Sequence, residues 1–180
     1  MNLPALSTPR LHLRPLALAD APAFAAYHTD PEVARYQSWD VPYSLAKAEA
    51  LARESEAAPL LGELWATLML LAGETMLGNL SLHLTGHRTA EVGFTLAREH
   101  WGKGYALEGL NALLDWLFTG ADLHRVHASL DPRNERSAAL LGRAGFRYEG
   151  CSVQAYWHRD EWTDDAHYAV LASEWRENKV

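Results

Sequence analysis

Between Arg98 and Phe118 the chain reads REHWGKGYALEGLNALLDWLF, two glycines around a lysine at the entrance of an apolar-periodic helix. Within a helix each glycine costs roughly 1 kcal/mol relative to alanine, so bare backbone there wants a reason. The unpaired N–H groups of a helix start are a ready anion site, and the helix dipole adds a fraction of a positive charge. Three phosphate-binding patterns compete. A P-loop needs Ser or Thr after Gly-Lys, and Gly104 stands there instead. A dinucleotide fingerprint needs a third glycine at Leu107 and a parallel strand–helix–strand setting. What remains is a pyrophosphate cradle, Gly102-Lys103-Gly104-Tyr105-Ala106, whose small residues let phosphate oxygens approach backbone amides. Alone, the two glycines are equally consistent with an ordinary turn. Lys103, Arg98, Arg133 and Arg136 could add charge.

The elements that must position this loop follow from hydrophobic period. TPRLHLRPL (Thr8–Leu16) alternates like a strand. Asp20 with Pro22 predicts a helix start, DPEVARY (Asp30–Tyr36) a second helical piece, and Ser44 the cap of a third helix over Leu45–Ala57. Leu64–Ala72, Thr75–Leu84 and Ala90–Ala97 are short apolar runs split by turn residues, an antiparallel meander leading into the glycine loop. The helix after the loop carries Leu110, Leu113, Leu114 and Leu117 on one stripe. A strand at His124–Asp131, a helix from Asn134 closed by Gly145, and two late strands (FRYEGCSVQAYW and DDAHYAVLAS) complete the order. Strands run together before helices intervene, so the fold class is α+β with a mixed, mostly antiparallel sheet. No repeat or linker divides the chain, and residues 1–180 read as a single domain.

Composition narrows the function. The 180 residues carry 16 Lys and Arg against 23 Asp and Glu, a formal net charge of −7. That argues against a basic face for nucleic acid and leaves room for a cationic partner. One cysteine, Cys151, forbids an internal disulfide; it reads as a small buried filler. No apolar run approaches the ~20 residues of a membrane span, and MNLPALSTPR lacks a signal-peptide core. A cytoplasmic protein is expected.

TPRLHLRPL, EVGFTL followed by WGKGYALEGL, and DPRNERSAALLGRAGFRYEG together resemble the GNAT acetyltransferase superfamily, from about Thr8 to Leu171. They are most similar to its Rim-type branch, which includes acetylases of ribosomal-protein N-termini. The resemblance implies the GNAT fold and acetyl-CoA as cosubstrate. Backbone around Trp101, Gly102, Lys103, Gly104, Tyr105 and Ala106 would hold the pyrophosphate. The strand Gly93–Ala97, with Phe94, Thr95 and Leu96, would pair with the pantetheine arm and supply a backbone N–H to the oxyanion, and Asn134 would stand against that arm. Many members have Arg or Gln three residues before the first loop glycine. Here Glu99 stands there, which shifts the binding onto backbone amides.

Acetyl transfer to an amine needs a base for the ammonium, a donor for the oxyanion and an acid for the thiolate. Glu91 is the candidate base, against the plainer reading of a solvated strand residue. Many superfamily members place an acid tyrosine where this chain has Leu141; by the Rim-type likeness Ser137 takes the role, unless it merely bonds its own helix backbone. Tyr36, Trp39, Tyr43, Trp157, His158, Asp160, Trp162 and Asp164 could wall an acidic, aromatic cleft for a cation. The expected acceptor is therefore a peptide N-terminus or small amine, and the family is compatible with a homodimer. The nine histidines show no metal-ligand spacing, so no metal is expected. A non-catalytic acyl-CoA sensor, and acetylation of a hydroxyl or antibiotic, are the rival readings.

Overall fold

The computed structural model describes residues 3–57 and 64–177; Met1 and Asn2, the start of the segment read above for a leader, lie outside them. The elements run β1 (Leu6–Ser7), β2 (His12–Pro15), α1 (Ala21–Thr29), α2 (Pro31–Ala34), α3 (Leu45–Ala57), β3 (Ala66–Ala72), β4 (Thr75–Gly86) and β5 (Thr89–Leu96). Then follow α4 (Tyr105–Thr119), β6 (Arg125–Leu130), α5 (Glu135–Arg143), β7 (Arg147–His158), β8 (Glu161–Leu171) and α6 (Ala172–Glu177). The strands form one 8-stranded sheet in the order β1-β2-β3-β4-β5-β6-β8-β7. All neighbours are antiparallel except β5 and β6, so the expected α+β class and mixed sheet are found.

Two cores explain the layers. The stripe Leu110, Leu113, Leu114 and Leu117 of α4 is fully buried against Leu68, Leu70, Leu80 and Leu82 of the meander. Each such leucine contributes roughly 1.5–3 kcal/mol by leaving water. On the opposite face of β3, Met69 and Leu71 meet Phe24 and Tyr27 of α1 and Ala48 and Ala52 of α3. β3 is thus apolar on both sides because it is sandwiched, whereas β5 is two-faced. Its Ala90, Val92, Phe94 and Leu96 belong to the α4 side, and Glu91, Gly93 and Thr95 point the other way.

Several local expectations shift. The strand expected over Thr8–Leu16 begins only at His12, because Leu11 N–H donates to Thr8 Oγ1 (2.9 Å) and Thr8 N–H to Leu11 O (2.9 Å), closing a turn. Asp20 precedes α1 but does not cap it. Its carboxylate takes Arg14 at 2.6 and 2.9 Å and the Ala17 N–H at 2.9 Å. The last strand stops at Leu171, and α6 buries Trp175 beside Phe118, with ring centroids 6.1 Å apart. Ser44 caps α3 as expected, its Oγ accepting from Lys47 N–H at 3.2 Å. Gly145, at φ 85°, closes α5. Cys151 corrects the reading of a buried filler: it is exposed, because β7 is the sheet's edge strand and is solvated along nearly its whole length.

Candidate active site

The site begins where β5 leaves β6. The parallel pairing covers Thr89↔Arg125, Ala90↔Val126 and Glu91↔His127, while β5 itself continues to Leu96. From Val92 onward the edge facing β6 has lost its strand partner, and a wedge opens in the plane of the sheet. Parallel neighbours need a long crossover, here the loop and α4, and α4's entrance lies at the open end. The wedge widens into a cleft of about 1060 Å³ lined by Phe94, Thr95, Leu96, Trp101, Gly102, Gly104, Tyr105, Ala106, Asn134 and Ser137.

Both loop glycines adopt left-handed backbone, Gly102 at φ 74° and Gly104 at φ 80°, and Gly104 is the residue before the first turn of α4. Their glycine identity therefore has a conformational cause as well as the bareness read from sequence. A clasp from the turn between β1 and β2 fixes the loop. Glu108 accepts from Thr8 Oγ1 at 2.5 Å, from Arg10 N–H at 3.1 Å and from Arg10 Nε at 2.6 Å; Arg10 Nη1 also reaches Lys103 O at 3.0 Å. Burial works against the Glu108 carboxylate, but these donors prevail and hold it below its ordinary range. The guanidinium of Arg10 stands 4.7 Å from the Tyr105 ring. Trp101 Nε1 donates to Leu96 O at 2.9 Å, pinning the loop to the end of β5, and Arg136 lies over the indole at 5.2 Å.

Asn134 caps α5, its Oδ1 accepting from Ser137 N–H at 3.2 Å, and the residue lines the cleft. The Ser137 hydroxyl makes no hydrogen bond to its own helix among the described residues, and the residue lines the cleft. Of the expected cations, Arg133 and Arg136 line the cleft, Arg133 also pairing with Asp131 at 2.6 Å and Glu161 at 2.8 Å, while Arg98 does not line it. Lys103 and Glu91 are the expected site residues that do not line the cleft.

Glu91 stands at the vertex, on the sheet face away from α4. It lies across from His83 on β4 and His127 on β6, with His83 Nε2 3.9 Å from its carboxylate. Trp65 lies on His83 with ring centroids 4.1 Å apart. Burial lowers the His127 imidazole below its ordinary value, with the Glu91 charge pulling the other way. Among the described residues no Lys or Arg pairs with Glu91; its titratable neighbour is His83. The row of polar residues on this face was not legible before folding, since three strands contribute to it.

The expected aromatic, acidic wall divides. Tyr36 lines the cleft, together with Glu32, Val33, Arg35 and Gln37 around α2, which sequence reasoning had not marked. Trp39 and Tyr43 instead pack around buried His28, at centroid distances of 4.3 and 5.0 Å. Trp157 and Trp162 pair edge-on at 5.3 Å and stay exposed on the β7–β8 hairpin. Arg159, in the hairpin turn, donates to Ala34 O at 2.9 Å and ties that hairpin to α2. No group of three or more His, Cys, Asp or Glu among the described residues could hold a metal ion. No helix there is long and apolar enough to cross a membrane.

A strand edge without a neighbour, ending at a glycine-lined helix start, fits the sequence family found for this chain. The acetyltransferase (GNAT) domain family matches residues 10–147. The chain belongs to the GNAT acetyltransferase family. It is 31% identical over 148 residues to the uncharacterized N-acetyltransferase p20 of Bacillus licheniformis, covering 81% of this chain and 83% of that one. Over shorter spans it resembles the spermidine N(1)-acetyltransferase of Vibrio cholerae (32%, 49% of this chain and 51% of the relative). It also resembles the ribosomal protein uS5-alanine N-acetyltransferase of Escherichia coli (30%, 47% and 43%). The fold superposes on a GNAT-family acetyltransferase from Bacillus anthracis with a TM-score of 0.85, at 25% identity, covering 94% of this chain and 99% of that one. The protein is accordingly an N-acetyltransferase of a family that uses acetyl-CoA.

Proposed function

We propose that this GNAT protein moves an acetyl group from acetyl-CoA to a primary amine, either a peptide N-terminus or a small cationic amine, by direct attack in a ternary complex. The observation that carries the reading is the parting of β5 from β6 after Glu91. It leaves backbone N–H and C=O groups without strand partners beside a cleft that ends at the glycine loop. An amide-bearing pantetheine arm suits that edge as an added strand would. Acetyl-CoA supplies the thioester; the chain supplies everything that holds and aligns it.

In this reading the backbone of Phe94, Thr95 and Leu96 orients the arm, and one of its N–H groups faces the developing oxyanion. The N–H groups of Tyr105 and Ala106, behind Gly102 and Gly104, receive the pyrophosphate. Asn134 offers its amide nitrogen to the arm. Glu91 takes the proton of the acceptor ammonium, and Ser137 relays to the departing thiolate, directly or through water, the second proton that the nitrogen sheds as the amide forms. The acceptor class draws support from relatives that act on spermidine and on a ribosomal protein, and from the Rim-type likeness of the motifs.

One observation favours a second reading. Leu141, at the position where many superfamily members carry the acid tyrosine, is fully buried in the α4-side core and cannot reach substrate. A coenzyme-binding sensor without turnover would tolerate that. The first experiment is thermal unfolding with acetyl-CoA, NAD and ATP, followed by thiol release with an amine panel. At 100 times its Kd, acetyl-CoA should stabilise the protein by about 2.7 kcal/mol while the controls do not. Thiol release with an amine selects the enzyme; a shift without release selects the sensor; no shift removes both.

A further inference from the structure

Gly93 is a glycine that the fold does not ask for. It sits inside β5, where glycine forgoes side-chain packing and costs conformational entropy. Its φ lies outside the left-handed region, so any residue could take its backbone. A Cβ built there meets only Ser81 Cβ, at 4.0 Å, an ordinary contact. Neither strain nor crowding at Cβ excludes alanine, and strands favour residues with a side chain to pack. A locally unfavourable residue without a structural cause is the expected mark of function.

Its surroundings say which function. Gly93 lies directly across from Ser81 on β4, and on its other flank β6 has already departed. It is therefore a bare step between the polar sheet face and the wedge. Glu91 and Thr95 are its neighbours on that same face. A directed hydrogen-bond chain arrives beside it: Tyr27 O–H donates to Asn79 Oδ1 at 2.8 Å, and Asn79 Nδ2 donates to Ser81 Oγ at 3.1 Å. Ser81 Oγ is thus held in place with acceptor capacity to spare for an N–H.

We propose that the acceptor amine reaches the wedge across Gly93, between Ser81 and Glu91, and that the missing side chain sets how much bulk the carbon bearing the acceptor nitrogen can carry. This rests on the amine-acetyltransferase reading above. Gly93 is a specificity-determining residue: its backbone stays in the sheet whatever replaces it, and only the passage over it narrows. A Cβ at this position projects onto the face from which the amine arrives, so it meets a branched acceptor before an unbranched one.

The test compares wild type, Gly93→Ala and Gly93→Val on the best acceptor of an amine panel and on its analogue methylated at the carbon bearing the nitrogen. In Gly93→Ala the kcat/KM of the branched acceptor should fall about tenfold relative to the unbranched one, the scale of a single misplaced methyl group. In Gly93→Val both should fall. The KM for acetyl-CoA should stay within about twofold and Tm should not drop, since glycine in a strand is not stabilising. An unchanged ratio in both variants overturns the inference. Loss of cooperative unfolding or of acetyl-CoA binding in both also overturns it, because the glycine would then be structural. If wild type releases no thiol with any amine, the reading it rests on fails with it, and that outcome is distinct from the other two.

Discussion

At the level of single residues, the proton-handling groups differ in how far the chain prepares them. Glu91 has no cationic partner among the described residues and stands at the vertex of the wedge, beside His83 and His127. Ser137 faces the cleft with its hydroxyl uncommitted. If both act directly, Glu91→Gln and Ser137→Ala should each lower kcat by about 10²–10⁴-fold, the usual range for a lost acid or base. Acetyl-CoA affinity should hold in both. Steady-state kinetics over pH 6–9 checks this; near-normal turnover in both variants would leave positioning and water to move the protons. Asn134 and Ser137 were legible because they sit in a motif at fixed spacing. Ser81 and His83 were not, since nothing in a strand's own sequence says which neighbour its polar face will meet.

At the level of elements, the glycine loop depends on segments far away in sequence. Glu108 in the first turn of α4 gathers Thr8 and Arg10, and Arg10 in turn holds the carbonyl of Lys103. Without that clasp the loop would keep its helix but lose its fixed entrance. Glu108→Ala should therefore raise the KM for acetyl-CoA several-fold while changing kcat little, because the groups at the wedge are untouched. The exposed Arg10–Glu108 pair should add under about 1 kcal/mol to global stability. Isothermal titration with CoA beside a melting curve separates the two effects. Helix spans were readable because each carries its own period and caps, as Ser44 and Gly145 illustrate. α6 was not, since a six-residue helix shows too little period and is set by the seat of Trp175 against Phe118.

At the level of the molecule, one buried histidine ties stability to pH. His28 is 3% exposed, stacks on Phe24 at 3.9 Å and takes its place among Tyr27, Trp39 and Tyr43. Burial lowers its pKa from 6.5 to about 4, outweighing the carbonyl of Phe24, which pulls upward. The unfolded chain thus binds this proton from about pH 6.5 downward, and the folded chain only near pH 4. Stability is full above pH 6.5 and falls on acidification across that window, by roughly 3 kcal/mol for this group. His28→Phe should flatten that part of the profile. Urea midpoints at pH 7 and pH 4.5 for both proteins decide it; parallel slopes would clear His28 of the effect.

The sequence alone determined the strand and helix periods, the α+β order of elements, the glycine-lined helix entrance and the likeness to acetyltransferases. These are properties of residues near one another along the chain, where period, capping and φ preference act. The tertiary structure alone decided that β5 and β6 run parallel for three residue pairs and then part. It also decided that Trp39 and Tyr43 serve a core while Tyr36 serves the cleft. It likewise set Ser81, His83, Glu91 and His127 on one face of three strands. Pairing register and the choice of buried side are fixed by contacts between distant segments, whose energy no local stretch carries.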